Sequence, residues 1–241
     1  MWSITEVRPG IRVGFTDTTA GNLAFHVSDD PALVAGRRAA VDARVGSPGV
    51  ALAYMSQVHG AHVAMVSGGE RGAAAPTADA MVLEPDGQAC GLAVMVADCV
   101  PVVLIGEKPG GAPLLAVAHA GRPGVEAGVI DAVVARLRAS GASSVEAWLG
   151  PSVCGACYEV PEGMRAQVSL HVPEAFATTS WGTPALDLPA AVLAQLNANG
   201  VRAHASGICT LEDPRYYSHR RSQRDGEPEG RFIGFVAATP R

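Results

Sequence analysis

The stretch from Gly91 to Ala120 contains three uninterrupted apolar runs, and it constrains the fold more than any other part of the chain. The runs are GLAVMV, VPVVLIG and PLLAVAHA, separated by Asp98-Cys99 and by the turn sequence EKPGG. A strand with one covered face alternates apolar and polar residues, whereas a strand covered on both faces is apolar throughout. The sequence therefore predicts a central sheet with packed layers on both sides.

Strand and helix patterns follow one another in a mixed order along the rest of the chain. Apolar, β-rich patterns predict extended segments at 11–16, 50–58, 61–66, 145–151, 201–206 and 231–239, and GGERGAAAPTA at 68–78 predicts a loop. Periodic apolar positions and stop signals predict helices at 31–44, 124–138, 163–171 and 188–199. We expect an α+β fold, a single compact domain over residues 1–241, with mixed β-sheets and helices packed on their outer faces.

Composition excludes several classes of partner. The net charge is −5 and Lys108 is the only lysine, which argues against a nucleic-acid groove because such a groove needs a basic patch. No apolar run is long enough to span a membrane, and the opening MWSITEVRPGIRVGF lacks the pattern of a signal peptide. Five cysteines in a chain of this length imply reduced thiols. We expect a cytoplasmic protein, a monomer or small homo-oligomer that acts on a small molecule.

Three short phrases place potential metal ligands at the ends of apolar runs. They are QVHG, ADC and VAHAG, which contain His59, Cys99 and His119. Two imidazoles and a thiolate suit Zn²⁺, with copper as the alternative, and a three-ligand set leaves a coordination position open for chemistry. A metal-free alternative also stands, in which Cys99 is a nucleophile and His119 its base. Asp98 and Asp79 are candidates for a base or for orienting a histidine.

Taken together, these phrases carry a resemblance to a known family. With GPSV-CGACYEV and ICTLEDPRYYSHRR, and in this order and spacing, they resemble the YfiH or laccase-domain family, whose members are described as zinc-dependent purine nucleoside phosphorylases. The early segment at 21–41 extends the similarity over nearly the whole chain. The resemblance implies that His59, Cys99 and His119 bind the metal and that the fold is a compact mixed α and β structure. From the chemistry of the residues we expect Cys99, His119 and Asp98 to take part in catalysis.

The activities linked to the family make different demands on the site. Copper-dependent polyphenol oxidation requires several copper centres, whereas only His59, His62 and His119 of the seven histidines fall near the expected metal. Phosphorolysis of adenosine, inosine, guanosine or methylthioadenosine, and deamination of adenosine, both fit one metal with an open position. The resemblance therefore favours these transferase and hydrolase activities. A metal-independent Cys/His hydrolase or deamidase, and a factor that edits cell-wall precursors, are the alternatives.

Arginine and tyrosine near the C-terminus are candidates for binding phosphate and purine. SHRRSQR follows two tyrosines, and arginine forks bind phosphate while aromatic faces stack on bases. We expect Arg220, Arg221 and Tyr217 in the substrate site, although a solvated basic turn would explain the same pattern. Arg122 is a further candidate, displaced by one position from the family's usual Ala-Gly-Trp-Arg-Gly and followed by Pro123.

The pair Cys154 and Cys157 forms a CxxC motif whose surroundings favour neither common use. No helix follows as in thioredoxin-like proteins, and no second close pair exists that would complete a four-cysteine zinc site. We expect Cys209 to pack beside the His59, Cys99 and His119 site. His26, close to Asp29 and Asp30, is a weak further candidate, because Asp30 is explained as a helix cap.

Overall fold

The computed structural model describes residues 2–45, 51–66, 74–86 and 90–239. The strands are β1 Ser3–Arg8, β2 Ile11–Phe15, β3 Leu52–Ala53, β4 Val63–Val66, β5 Ala80–Leu83, β6 Cys90–Val96, β7 Val100–Glu107, β8 Pro113–Ala120, β9 Ser144–Leu149, β10 Phe176–Thr178, β11 Pro184–Leu186, β12 Arg202–Ala205 and β13 Phe232–Ala238. The α-helices are α1 Pro31–Val45, α2 Arg122–Glu126, α3 Val129–Ala139, α4 Glu162–His171, α5 Leu188–Ala198 and α6 His219–Asp225.

Two large sheets form the centre of the molecule. One has six strands in the order β12-β9-β7-β8-β5-β4, and the other has five in the order β1-β2-β13-β6-β3. In the six-stranded sheet β7 and β8 form an antiparallel hairpin whose register pairs Pro101 with His119. Cys99 directly precedes β7, so the hairpin brings two of the three predicted metal ligands to one edge of the sheet.

Three hydrophobic cores hold four layers together. The core between the sheets contains Val103 and Val117 from the six-stranded sheet and Leu92 and Val236 from the five-stranded sheet. On the outer face of the six-stranded sheet, α3, α4 and α5 complete a second core. Helix α1 covers the outer face of the five-stranded sheet. Both faces of β6, β7 and β8 are therefore buried, which is the physical reason for their continuous apolar sequence.

The structure confirms the expected fold class, mixed sheets with helices on their outer faces, but differs from the sequence analysis in several elements. The predicted helix at 124–138 is two helices, because Gly128 adopts a left-handed conformation with φ of 79° that ends α2 before α3 begins. In the described part of the predicted strand at 50–58, residues 51–58, the one strand is β3. The basic turn considered near the C-terminus is helix α6, with Ser218 as its N-cap.

Strands β1, β5, β10 and β11 were not predicted, because they are short or lie at the margin of loop-like sequence. The predicted loop at 68–78 lies partly outside the described residues, which do not include 67–73. Within the described part of the chain, no helix is both long and apolar enough to cross a membrane.

Candidate functional site

The three predicted metal ligands converge at one end of the six-stranded sheet. His59 lies in a turn and has a left-handed φ of 60°. Cys99 follows Asp98, whose φ is 81°, and His119 is the second-last residue of β8. One ligand atom from each lies within 4.8 Å of the other two. The rings of His59 and His119 pack edge to face, with centroids 4.6 Å apart. Side chains from three distant positions in the sequence thus face one point.

Asp79 organises this convergence from the side away from the cavity. Its buried carboxylate accepts hydrogen bonds from the backbone N–H groups of His59 (2.9 Å) and Gly60 (2.6 Å), which hold the His59 turn. The same carboxylate lies 2.9 Å from Nδ1 of His119. Because a carboxylate accepts hydrogen bonds, it favours a proton on Nδ1 and leaves Nε2 of His119 free to face Cys99.

The electrostatics of the cluster favour a charged thiolate. Burial opposes ionisation of Cys99, but the charge of His119 and hydrogen bonds from both histidines outweigh it and lower the pKa of Cys99 to about 6. Burial likewise disfavours charge on His119, yet Cys99 and Asp79 raise the pKa of His119 to about 9. In Asp79 burial is again the opposing effect, and the bond from His119 holds the carboxyl pKa below its ordinary value.

The donor set fits a zinc ion. A thiolate and two imidazoles are preferred zinc ligands, and the carboxylate behind His119 is the usual outer partner of a zinc-bound histidine. The backbone approaches closely as well: a methyl group at Gly121 would lie 2.8 Å from the His59 ring and 3.1 Å from the Cys99 sulfur. Three protein ligands would leave one tetrahedral position open towards the cavity.

A cavity of about 670 Å³ opens from the three ligands. Its lining includes Arg122, Arg220, Arg231 and Tyr158, together with His59, Cys99 and His119. The Arg220 guanidinium lies 5.3 Å from the Tyr158 ring centroid and donates to the backbone carbonyl of Glu159 at 3.0 Å. A volume of this size accommodates a nucleoside-sized ligand, since small-molecule sites span about 300–1,000 Å³.

Two predicted substrate-binding residues lie outside this lining. The buried guanidinium of Arg221 is engaged by the carbonyls of Thr210 (2.6 Å) and Tyr216 (2.6 Å) and by the Glu227 carboxylate (2.7 Å). The ring of Tyr217 packs at the margin of the core between the sheets. Their positions in the fold point to structural contacts rather than to a ligand.

Asp98 lines the cavity, but its carboxylate is hydrogen-bonded to two other segments of the chain. One oxygen accepts from the Thr210 hydroxyl at 2.7 Å, and the other accepts from the backbone N–H of Arg220 at 2.7 Å. The left-handed backbone at this residue aims its side chain at the start of α6. Asp98 therefore positions Arg220 in the structure.

Sequence reasoning missed several cavity residues. Arg231 and Tyr158 line the cavity, and Gln57 is fixed there by two hydrogen bonds to the backbone of Met95. Gln57 stood in the QVHG phrase, two residues before His59, and that proximity was the available signal. Arg231 precedes the last strand, and no local pattern marks it. His26, the weak candidate, does line the cavity. Cys209 lies close to Cys154 and Cys157, and the neighbouring Thr210 bonds to Asp98.

The sequence matches a known protein family and several purine nucleoside phosphorylases over most of its length. Residues 9–239 match the family described as multi-copper polyphenol oxidoreductase laccase. The chain is 43% identical over 239 residues to a purine nucleoside phosphorylase of Streptomyces coelicolor, covering 94% of this chain and 95% of that protein. It is 46% identical over 220 residues to a purine nucleoside phosphorylase of Streptomyces griseus, covering 89% and 85%.

Solved structures show the same fold. YlmD from Geobacillus stearothermophilus superimposes with a TM-score of 0.80 at 28% identity, covering 98% of each chain. The hypothetical protein YfiH from Bacillus licheniformis superimposes with a TM-score of 0.82 at 24% identity, covering 98% of this chain and 96% of that one. With a family match that spans nearly the whole sequence, the chain belongs to the multi-copper polyphenol oxidoreductase laccase family, with the YfiH fold.

Proposed function

We propose that this protein is a purine nucleoside phosphorylase that depends on one Zn²⁺ bound by His59, Cys99 and His119. The observation that carries the proposal is that these three residues line the same cavity as Arg122, Arg220 and Arg231. The names of the Streptomyces relatives support the same reaction class. Copper is the alternative metal, and adenosine, inosine, guanosine and methylthioadenosine are the proposed substrates.

Different residues of the cavity suit the phosphate, the nucleoside and the metal. Phosphorolysis breaks the glycosidic C–N bond as a phosphate oxygen bonds to the ribose C1′, so the site must bind an anion beside a purine. Arg122 and Arg220 line the cavity and supply guanidinium groups for the phosphate. The Tyr158 ring supplies an aromatic face for the base or ribose. A zinc ion held by the three ligands would supply a Lewis acid with an open position, which suits phosphate binding and also deamination of adenosine.

The proposal is tested by measuring metal content and phosphate dependence together. Reduced protein loaded with zinc is expected to release hypoxanthine from inosine and adenine from adenosine only when phosphate is present. Cys99→Ala is expected to lower this activity by more than about 100-fold, because a direct ligand is lost and even an outer partner costs about 10- to 100-fold. Inosine formed from adenosine without phosphate would reveal the deaminase activity.

The matched control is Cys90→Ala, which removes a buried thiol at the far end of β6. This variant is expected to keep both its zinc and its activity at the His59, Cys99 and His119 site. Zinc-loaded wild-type protein that releases no base from any of the four nucleosides in phosphate would contradict the proposal.

One observation favours a second candidate, a Cys/His hydrolase or deamidase that needs no metal. Asp79, His119 and Cys99 form a chain in which the carboxylate orients the imidazole and the imidazole faces a thiol with a pKa of about 6. Chelation separates the two candidates. Activity that survives complete metal removal and is lost on alkylation of Cys99 would support the thiol mechanism, whereas activity that is lost with the metal and restored by zinc supports the phosphorylase.

A further inference from the structure

A second cluster of potential metal ligands lies outside the cavity. It contains Cys154, Cys157, Cys209 and Glu212, and one ligand atom from each lies within 4.8 Å of the other three. Cys157 and Cys209 are buried, Cys154 is half-buried, and Glu212 reaches solvent. The Cys157 sulfur lies 3.5 Å from Oε1 of Glu212. The CxxC motif therefore gains from tertiary structure the third thiol and the carboxylate that its own sequence neighbourhood lacks.

The backbone already holds both halves of this cluster in place. The CxxC segment is a tight turn in which the N–H groups of Cys157 and Tyr158 donate to the Cys154 carbonyl at 3.0 and 2.9 Å. The second segment pairs with the first, because the N–H of Ser152 donates to Ile208 and the N–H of Thr210 donates to Ser152, each at 3.1 Å. A ligand set held by backbone bonds loses little entropy when a metal binds.

We propose that Cys154, Cys157, Cys209 and Glu212 form a second metal site, which binds Zn²⁺ with four protein ligands. Three thiolates are soft ligands that match zinc, zinc also binds carboxylate oxygens, and four ligands complete its tetrahedral coordination. Such a closed site has no position for substrate and is structural. All five cysteines are free thiols in the structure, so each member of the cluster is available as a ligand.

The position of the site indicates what the metal would stabilise. Val153 and Tyr158, on either side of the CxxC turn, line the cavity, and the carbonyl of Glu159 holds Arg220. From the other segment, the carbonyl of Thr210 holds Arg221 in α6. A metal bound here would connect the segment that contains Tyr158 to the segment that leads into α6, and so would fix one wall of the cavity.

The two proposed sites are separated by counting metal in matched variants. After reduction, zinc loading and removal of weakly bound metal, the wild type is expected to hold two zinc ions per chain and Cys99→Ala to hold one. The double variant Cys154→Ser with Glu212→Gln changes the two ligands that reach solvent, so it leaves the core intact. It is expected to hold one zinc ion, with affinity at the second site lowered by more than about 100-fold. Cys90→Ser is the control and is expected to hold two.

Cobalt substitution gives a readout that is independent of activity. In Cys99→Ala, thiolate-to-cobalt charge-transfer absorption is expected from this cluster alone, and it is expected to be lost when both Cys154→Ser and Glu212→Gln are added. Circular dichroism checks that each variant is folded. The proposal is overturned if reduced wild-type protein holds one zinc ion and Cys99→Ala holds none. It is also overturned if the reduced, zinc-loaded double variant Cys154→Ser with Glu212→Gln holds as many zinc ions as the wild type.

Discussion

At the scale of single residues, Asp79 links backbone geometry to ligand orientation. Its carboxylate fixes the left-handed turn at His59 and the ring of His119, so one side chain sets the direction of two proposed metal ligands. The positive φ of His59 is costly for a residue with a Cβ. The hydrogen bonds from the turn to Asp79 compensate for that cost, and strain of this kind is commonly found where side chains must be held for chemistry.

Asp79→Asn tests this role. An amide has one acceptor oxygen and no charge, so it cannot accept from the His59 and Gly60 N–H groups and from His119 together as the carboxylate does. We therefore expect zinc affinity at the His59, Cys99 and His119 site to fall by about 10- to 100-fold. The free energy of unfolding is expected to fall by about 3 kcal/mol, because charged hydrogen bonds to a buried group are lost. Competition with a chelator and urea unfolding measure the two effects.

Asp131→Asn is the matched control for that substitution, because Asp131 lies on α3 and bonds to Asn199 at the surface. It is expected to change stability by less than about 0.5 kcal/mol. Equal losses of zinc affinity in the two variants would show that Asp79 does not orient the ligands.

The reactivity of Cys99 provides a pH-dependent prediction for metal-free protein. A lowered pKa means that the thiolate is present above pH about 6, so alkylation of Cys99 is expected to rise through that pH and level off by neutrality. Burial raises the pKa of Cys90 to about 11, so this internal control is expected to stay unmodified at neutral pH. Peptide mass spectrometry after alkylation at several pH values measures both. A midpoint for Cys99 near the ordinary thiol pKa of about 8.5 would contradict the described contacts.

At the scale of elements, the site depends on how strands end and helices begin. Gly121 is the N-cap of α2, directly after β8, and the absence of a side chain there lets the backbone pass against all three proposed metal ligands. Asp98, before β7, performs the complementary task by holding the N-terminal turn of α6. The loops at one end of the sheet thus place the ligands, while the strands supply the rigid frame.

Gly121→Ala is expected to weaken zinc binding at the His59, Cys99 and His119 site by more than about 10-fold, because the new methyl group would press on the His59 ring and the Cys99 sulfur. Gly36→Ala is the control: Gly36 lies in α1 with nothing within 4 Å of the added methyl. That control is expected to raise the free energy of unfolding by about 0.5–1 kcal/mol without changing the affinity for zinc. Titration with zinc against a chelator measures the difference, and unchanged affinity in Gly121→Ala would show that the ligand cluster can shift freely.

Asp98→Asn distinguishes a positioning residue from a catalytic one. Asparagine tolerates the left-handed backbone but replaces a charged acceptor at the start of α6. If Asp98 acts through Arg220, the KM for phosphate is expected to rise by about 10-fold, in the range of one charged hydrogen bond, with little change in kcat. A fall in kcat at unchanged KM, with a shifted pH profile, would instead indicate that Asp98 transfers a proton.

At the scale of the whole molecule, one core joins the two sheets. The side chains between the sheets include Met81 and Phe232, both fully buried, so neither sheet can keep its inner face covered alone. We therefore propose that residues 1–241 behave as one domain. This arrangement also places the cavity at the edge of the sandwich, where the loops from both sheets meet.

Met81→Ala tests that cooperativity. The loss of a buried side chain is expected to lower the free energy of unfolding by about 2–5 kcal/mol. Because both sheets share this core, far-ultraviolet circular dichroism and tryptophan fluorescence are expected to shift together in urea and to remain coincident. Met65→Ala on β4, where the side chain is exposed, is the control and is expected to unfold close to the wild type. Separate transitions for the two probes would show two independently folding units.

The amino-acid sequence by itself determined the layered α+β fold and the three converging phrases, because continuous apolar runs require cover on both faces and polar ligands at run ends stand out against them. The sequence did not predict the helix boundary at Gly128 or the short strands. The boundary depends on backbone conformation, and the short strands depend on their pairing partners. The local sequence could not show whether Arg221 and Tyr217 bind substrate. A segment rich in arginine and tyrosine has the same pattern whether its side chains face a ligand or the protein's own backbone.

Tertiary structure alone decided which distant side chains meet. It joined Asp79 to His119, Arg231 to the cavity, and Cys209 and Glu212 to the CxxC turn. These contacts connect residues tens of positions apart, and no local propensity or spacing encodes such distances. Short-range patterns specify strands, helices and reactive residue types, whereas the register and packing of two sheets specify the sites that those residues form.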